Sequence, residues 1–230
     1  LRSLEGLSRM ASVTRNLEIR NNPALKSLAG LDGLREVGGK LIIDTNDSLA
    51  SIAALRNLEF VSSQILLRLN GLLTSLEGLQ GLTEINGSIG LVRNESLASL
   101  EGLHNVREIR GDFDLFANVS LTDLSHLETL TSVNGTLGIV ENRLTSLEGL
   151  ASLTTVGELR LAYNKGLTNL RGFDALAKIT DGLTIMSDAT LKDLTGMPNM
   201  QSIDGGLVVE NNESLTSLDG LEFLASLNKS

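Results

Sequence analysis

Asparagine recurs every 24 residues along almost the whole chain, at Asn22, Asn46, Asn70, Asn94, Asn118 and Asn142. After a two-residue contraction the series resumes at Asn164, passes through Asp188 and closes at Asn212. A fixed period of this length marks a solenoid, in which each unit packs on its neighbours and the core runs continuously along the stack. Residues 1–230 therefore read as a single repeat domain of roughly nine and a half coils, with no linker. The chain begins at Leu1, inside a unit and without an initiator Met, so it reads as a piece of a longer protein.

Two periods coexist in each unit. In Leu41-Ile42-Ile43 and Ile89-Gly90-Leu91 the inward positions alternate in steps of two, the period of a strand. From the Asn onward, apolar residues step by three, as in Leu97, Leu100, Leu103 and Val106. That spacing suits tight turns and 3₁₀ segments better than an α-helix. Stacking the units aligns the strands into a parallel sheet, and at about 4.8 Å per strand the rod is roughly 45 Å long. An Asn amide at the bend after each strand is expected to pair with main-chain groups the sheet leaves free, and stacked copies to bond to one another. The whole series, Asn22 to Asn212 with Asp188 included, is thus expected to be structural. Two glycine columns, one represented by Gly111 and one by Gly102, are expected to answer positive φ or close approach between coils. The spacing also shortens after Asn142 and after Val156, which predicts a tightened coil between residues 142 and 160.

The L-x-L-x-x-N heart of the unit resembles leucine-rich repeats. The phrases Leu144–Leu150 (LTSLEGL) and Leu130–Asn142 (LTSVNGTLGIVEN) are more similar to the receptor L domain and its microbial surface-protein relatives. The resemblance covers the whole chain. It implies a mainly β fold, a right-handed β-solenoid with one long parallel sheet. It also implies that the sheet is used for recognition at a cell surface, with an extracellular location.

Composition narrows the partners. The net charge of −9 argues against nucleic acid and against an anionic membrane surface. Apolar residues never run together for the ~20 positions a membrane span needs. Cysteine is absent, which a long solenoid tolerates because its core suffices without staples. No catalytic or metal-binding pattern stands out. The two histidines, His104 and His126, fall in different columns, and no zinc spacing, P-loop, dinucleotide fingerprint or nucleophile elbow is present. The sequence implies no cofactor and no metal, and the expectation is a protein that is not an enzyme. A polysaccharide-acting enzyme with charged groups on the sheet is a minor alternative.

Function then has to be sought on the outward strand positions. Ile42, Leu66, Val92, Phe116 and Val140 form a diagonal apolar band there, and Arg68 and Asp114 add charge. Contiguous exposed apolar surface often marks a partner site, although such residues also suit strands in their own right. The main expectation is a recognition or adhesion module that binds a protein or glycan at a cell surface through its sheet. A passive spacer or stalk is the rival. A threonine column (Thr74, Thr122, Thr145, Thr168, Thr216) beside a serine column keeps an ice- or surface-binding role as a further alternative. Arg110-Gly111-Asp112 matches an integrin motif, but its glycine is the repeat's own and the triplet leads into a strand. Of seven Asn-x-Ser/Thr triplets, Asn46, Asn94, Asn118 and Asn212 lie in the inward column. Asn86, Asn134 and Asn228 remain as glycan acceptors. With no polar cap at either end, end-to-end self-association is also expected.

Overall fold

The computed structural model describes residues 1–222 and 224–227; Asn228 and the final Lys229-Ser230 lie outside the described residues. The fold is a mainly β solenoid of about nine turns. Leu17–Arg20, Leu41–Asp44, Ile65–Arg68, Ile89–Val92 and Phe113–Phe116 are successive parallel strands in unbroken register. The stack continues through Ser132–Val140, Thr155–Ala162, Lys178–Met186 and Gly206–Glu210. Inward residues of each strand, such as Leu41, Ile43, Phe113 and Leu115, are fully buried together with the leucines of the three-residue steps. Three short 3₁₀ segments, Glu5–Leu7, Ala53–Leu55 and Glu148–Leu150, are the helical content of the described residues.

The sheet is less simple than one ribbon. A second set of two-residue strands precedes each main strand. Ser12–Val13, Glu36–Val37 and Phe60–Val61 form a separate three-stranded ladder. Glu84–Ile85 pairs with Glu108–Ile109, which in turn pairs with the beginning of the nine-residue strand Ser132–Val140, and that strand joins the two sets. The bend between the sets is where the first glycine column lies. A Cβ on Gly111 would meet the backbone of Gly87 at 2.8 Å, so a side chain there would push the coils apart. The second column answers the other requirement: Gly102 has φ +114. Where a coil instead forms a 3₁₀ segment, the column residue (Gly6, Ala54, Gly149) has ordinary φ.

The asparagine column stitches each coil to the one before it. Asn70 Oδ1 accepts from the backbone N–H of Asn46 at 3.2 Å, and Asn70 Nδ2 donates to the Ile43 carbonyl at 2.9 Å. The same pair of bonds repeats at Asn94 with Asn70 and Leu67, and at Asn118 with Asn94 and Leu91. The contraction does not interrupt it, since Asn142 N–H donates to Asn164 Oδ1 at 3.2 Å. One residue is lost just after Asn142 and the other near the start of the next strand, Thr155–Ala162. Arg143 alone separates Asn142 from Leu144, and Gly157 stands where the neighbouring coils have Asn134-Gly135 and Thr180-Asp181.

The residue before each ladder position supplies a turn that the sequence pattern did not announce. Asn21, Thr45, Leu69, Arg93, Ala117, Glu141, Tyr163, Ser187 and Asn211 all have φ between 53° and 59°. The left-handed region disfavours such residues by roughly 1–2 kcal/mol. The ladder bonds on either side hold them there. Among the described residues His126 is the remaining non-glycine case, with φ 77°, and it occupies the second glycine column. Replacing His126 with Gly is therefore expected to raise stability by about 1 kcal/mol, read from urea denaturation.

Asp188 is the weak rung. Its Oδ1 accepts from Asn164 N–H, but its Oδ2 has no hydrogen-bond partner and is buried. The pattern assigns this atom to the Leu161 carbonyl, an acceptor facing an acceptor. Burial pushes the carboxyl up to about 6, well above the ordinary range of an aspartate. The folded state thus holds a proton between pH 4 and 6 that the unfolded state has released, so stability falls as pH rises through that window. Above it the full cost, roughly 3 kcal/mol at 1.36 kcal/mol per pH unit, persists. Asp188→Asn restores the donor. Thermal unfolding should show a stabilisation of about 1–3 kcal/mol at pH 7 that shrinks towards pH 4.

Candidate functional site

Three rows of outward side chains cross the sheet face, perpendicular to the strands. The middle row runs Glu18, Ile42, Leu66, Gly90, Asp114, Gly138, Arg160, Thr184, Val208, in register throughout. The downstream row runs Arg20, Asp44, Arg68, Val92, Phe116, Val140, Ala162, Met186, Glu210. The upstream row includes Asp112, Thr136 and Glu158.

The apolar band thus changes rows part-way along. Ile42 and Leu66 lie in the middle row, and Val92, Phe116 and Val140 continue in the downstream row. Ile42 is only 4% exposed although it is outside the core cluster. It is flanked in register by Glu18 and Leu66 and offers little surface to a partner. Leu66, Val92, Phe116 and Val140 are half-buried, and Arg93 lies over the Phe116 ring with its guanidinium carbon 5.7 Å from the centroid.

Arg68 is committed within the chain. It holds Asp44 in a two-pronged pair, Nε to Oδ1 and Nη2 to Oδ2, both at 2.9 Å. The Asp44 side chain is 6% exposed and also accepts from the Thr45 hydroxyl. The Arg68 hydrogen bonds hold the Asp44 carboxyl below its ordinary value. Its stabilisation is present above about pH 4 and is lost as pH falls through the lowered folded value. Asp44→Ala is expected to cost about 1–2 kcal/mol at pH 7, and the difference from the parent should narrow below pH 4 in acid titrations of folding.

The second half of the face is built differently. An open groove of about 700 Å³ lies over the strands from Phe113–Phe116 to Gly206–Glu210. Its floor is Asp114, Gly138, Arg160 and Thr184, and Phe116, Val140, Ala162 and Met186 form an apolar side. Tyr163, from the left-handed column, projects beside them and is 47% exposed. Asp114 has no hydrogen-bond partner among the described residues, and burial, with Asp112 nearby, raises its carboxyl above the ordinary value. Arg160 donates to Glu158 at 3.1 Å. Phe116, Val140 and Asp114 were legible in the sequence as site residues. Thr136 and Tyr163 were not, because neither falls on the two outward positions of the strand core.

Other sequence features resolve into packing. Arg110 of the Arg-Gly-Asp triplet bonds to Asn86 and Glu84, while Asp112 accepts from Thr136 N–H. The serine column is taken up in turns: Ser75, Ser99 and Ser146 accept from the N–H two residues on, and Asp123, Asn169 and Asp193 do the same in their coils. The threonines beside them remain exposed. His104 and His126, separate in sequence column, meet across adjacent coils with ring centroids 6.5 Å apart. Among the described residues no group of three His, Cys, Asp or Glu is placed to hold a metal, and no helix is long and apolar enough to cross a membrane. Asn46, Asn94 and Asn118 are fully buried; Asn134 is exposed, with its amide on Glu108, and Asn86 is half-buried. No protein-family model matches this chain, and no curated protein does.

Proposed function

We propose that the protein is a non-enzymatic extracellular recognition module of leucine-rich-repeat or receptor L-domain type, binding a protein or glycan at a cell surface through its parallel sheet. The observation that carries this reading is the groove on the outward face of the second half. A passive spacer needs only generic polar residues on that face. Here an apolar row of five coils, Val92 to Met186, lies beside a row that carries Asp114 and Arg160. Apolar walls with a few convergent polar groups are the usual make-up of a binding site. The strands beneath it from Phe113–Phe116 to Lys178–Met186 are paired on both sides, so over them the face offers side chains and not free backbone edges.

The test is the double variant Leu66→Asp/Phe116→Asp. Both side chains point away from the core, so circular dichroism and the unfolding midpoint should stay close to those of the parent. Binding to immobilised cell-surface proteins and glycans that the parent retains is expected to disappear. A folded double variant with undiminished binding would remove the sheet face from consideration.

A further inference from the structure

We propose that the hollow over Gly138 is a subsite for an uncharged carbohydrate chain, an inference that rests on the sheet being the recognition face. It begins with a glycine that the fold does not require. The repeat's own glycines are pinned by sterics: a Cβ on Gly111 or Gly102 would strike the backbone of the coil before. Gly138 is different. It sits in mid-strand, where glycine weakens a strand and tends to mark close approach by a ligand. A Cβ there would meet only the Asp114 carboxylate within 3 Å, the free end of a side chain. At Gly90, the other glycine of this row, the neighbour is instead apolar: Leu66 Cδ1 would lie 3.0 Å from an added Cβ.

The hollow's surroundings define the chemistry. On one side in register is Asp114, an acceptor without a donor among the described residues; on the other is Arg160, a donor with one bond to Glu158. The two do not form an ion pair; Arg160 is paired with Glu158 and Asp112 lies near Asp114, so charges of both signs line the hollow. A polyanion is opposed by Asp114, a polycation by Arg160. Hydroxyl groups both donate and accept, and so satisfy the two walls together. Thr184 on the floor and Thr136 in the upstream row add further hydroxyls. Beside this polar floor, Phe116, Val140 and Met186 supply a flat apolar side of the kind that receives the C–H face of a sugar ring. From Phe116 to Val208 the groove crosses five strands, roughly 19 Å at about 4.8 Å each, enough for a short oligosaccharide.

The experiment uses a printed array of neutral hexose and N-acetylhexosamine oligomers, with sialylated and sulfated counterparts, followed by NMR titration of the best neutral oligomer. The parent is expected to retain neutral oligomers in preference to charged ones. Asp114→Asn and Arg160→Ala should each weaken binding tenfold or more, and Gly138→Trp, which fills the hollow, should abolish it. Glu77→Gln, on an exposed turn, should leave it unchanged. A blank array at millimolar oligomer, a preference for charged glycans, or binding that survives Gly138→Trp in a folded protein would overturn the proposal. A protein partner lost in Leu66→Asp/Phe116→Asp while the array stays blank would leave the recognition face standing and remove only its carbohydrate ligand.

Discussion

A solenoid coil must leave its sheet and turn, and at that corner main-chain groups lose their sheet partners inside a dry core. The asparagine side chain meets this need at each coil. Its oxygen takes the N–H of the preceding rung and its nitrogen gives to a strand carbonyl of the preceding coil, as at Asn94 with Asn70 and Leu67. A buried unpaired polar group costs about 1–3 kcal/mol, so a repeated failure at this corner would exceed the stability of most domains. The ladder's tolerance of the short coil follows from its geometry. What it needs is the spacing between adjacent coils, which is unchanged when Gly157 does the work of two residues. Asp188 shows the dependence from the other side. Losing one N–H donor leaves a buried oxygen without a partner.

The same corner stores local strain. Nine non-glycine residues are held in the left-handed region directly before the ladder, a conformation that persists only when neighbouring bonds over-determine it. The strain has a use at Tyr163. A residue in that bend is not bound by the strand's alternation, so its side chain leaves the sheet and stands at the edge of the groove. A surface that strand side chains alone would make flat gains a wall.

Core, ladder and turn columns consume most of each unit. The serines accept from turn N–H groups, the leucines fill the interior, and the glycines clear the way for the next coil. Variation is left to the outward rows, and the two halves of the face use it differently. In the first half charge is closed on itself, with Arg68 locked to Asp44. In the second, Asp114 is left without a donor beside a glycine that the coil packing does not call for. The contrast sets the second half apart as the region where an external group has something to complete.

The 24-residue period and the two-and-three alternation within it were enough to determine the solenoid, the inward leucines and the buried asparagines, because each is a local rule repeated by neighbours at fixed distance. Phe116, Val140 and Asp114 were visible as outward residues for the same reason. What depended on the tertiary structure was everything that crosses coils without following the period. The sequence could not say that Ile42 is covered between its register neighbours, that Arg68 is spent on Asp44, or that His104 meets His126. Nor could it separate Gly138, whose added Cβ would touch only a movable carboxylate, from Gly111, whose added Cβ would touch backbone. Side-chain identity names what a residue can do; only the packing of one coil on the next decides which partner reaches it first.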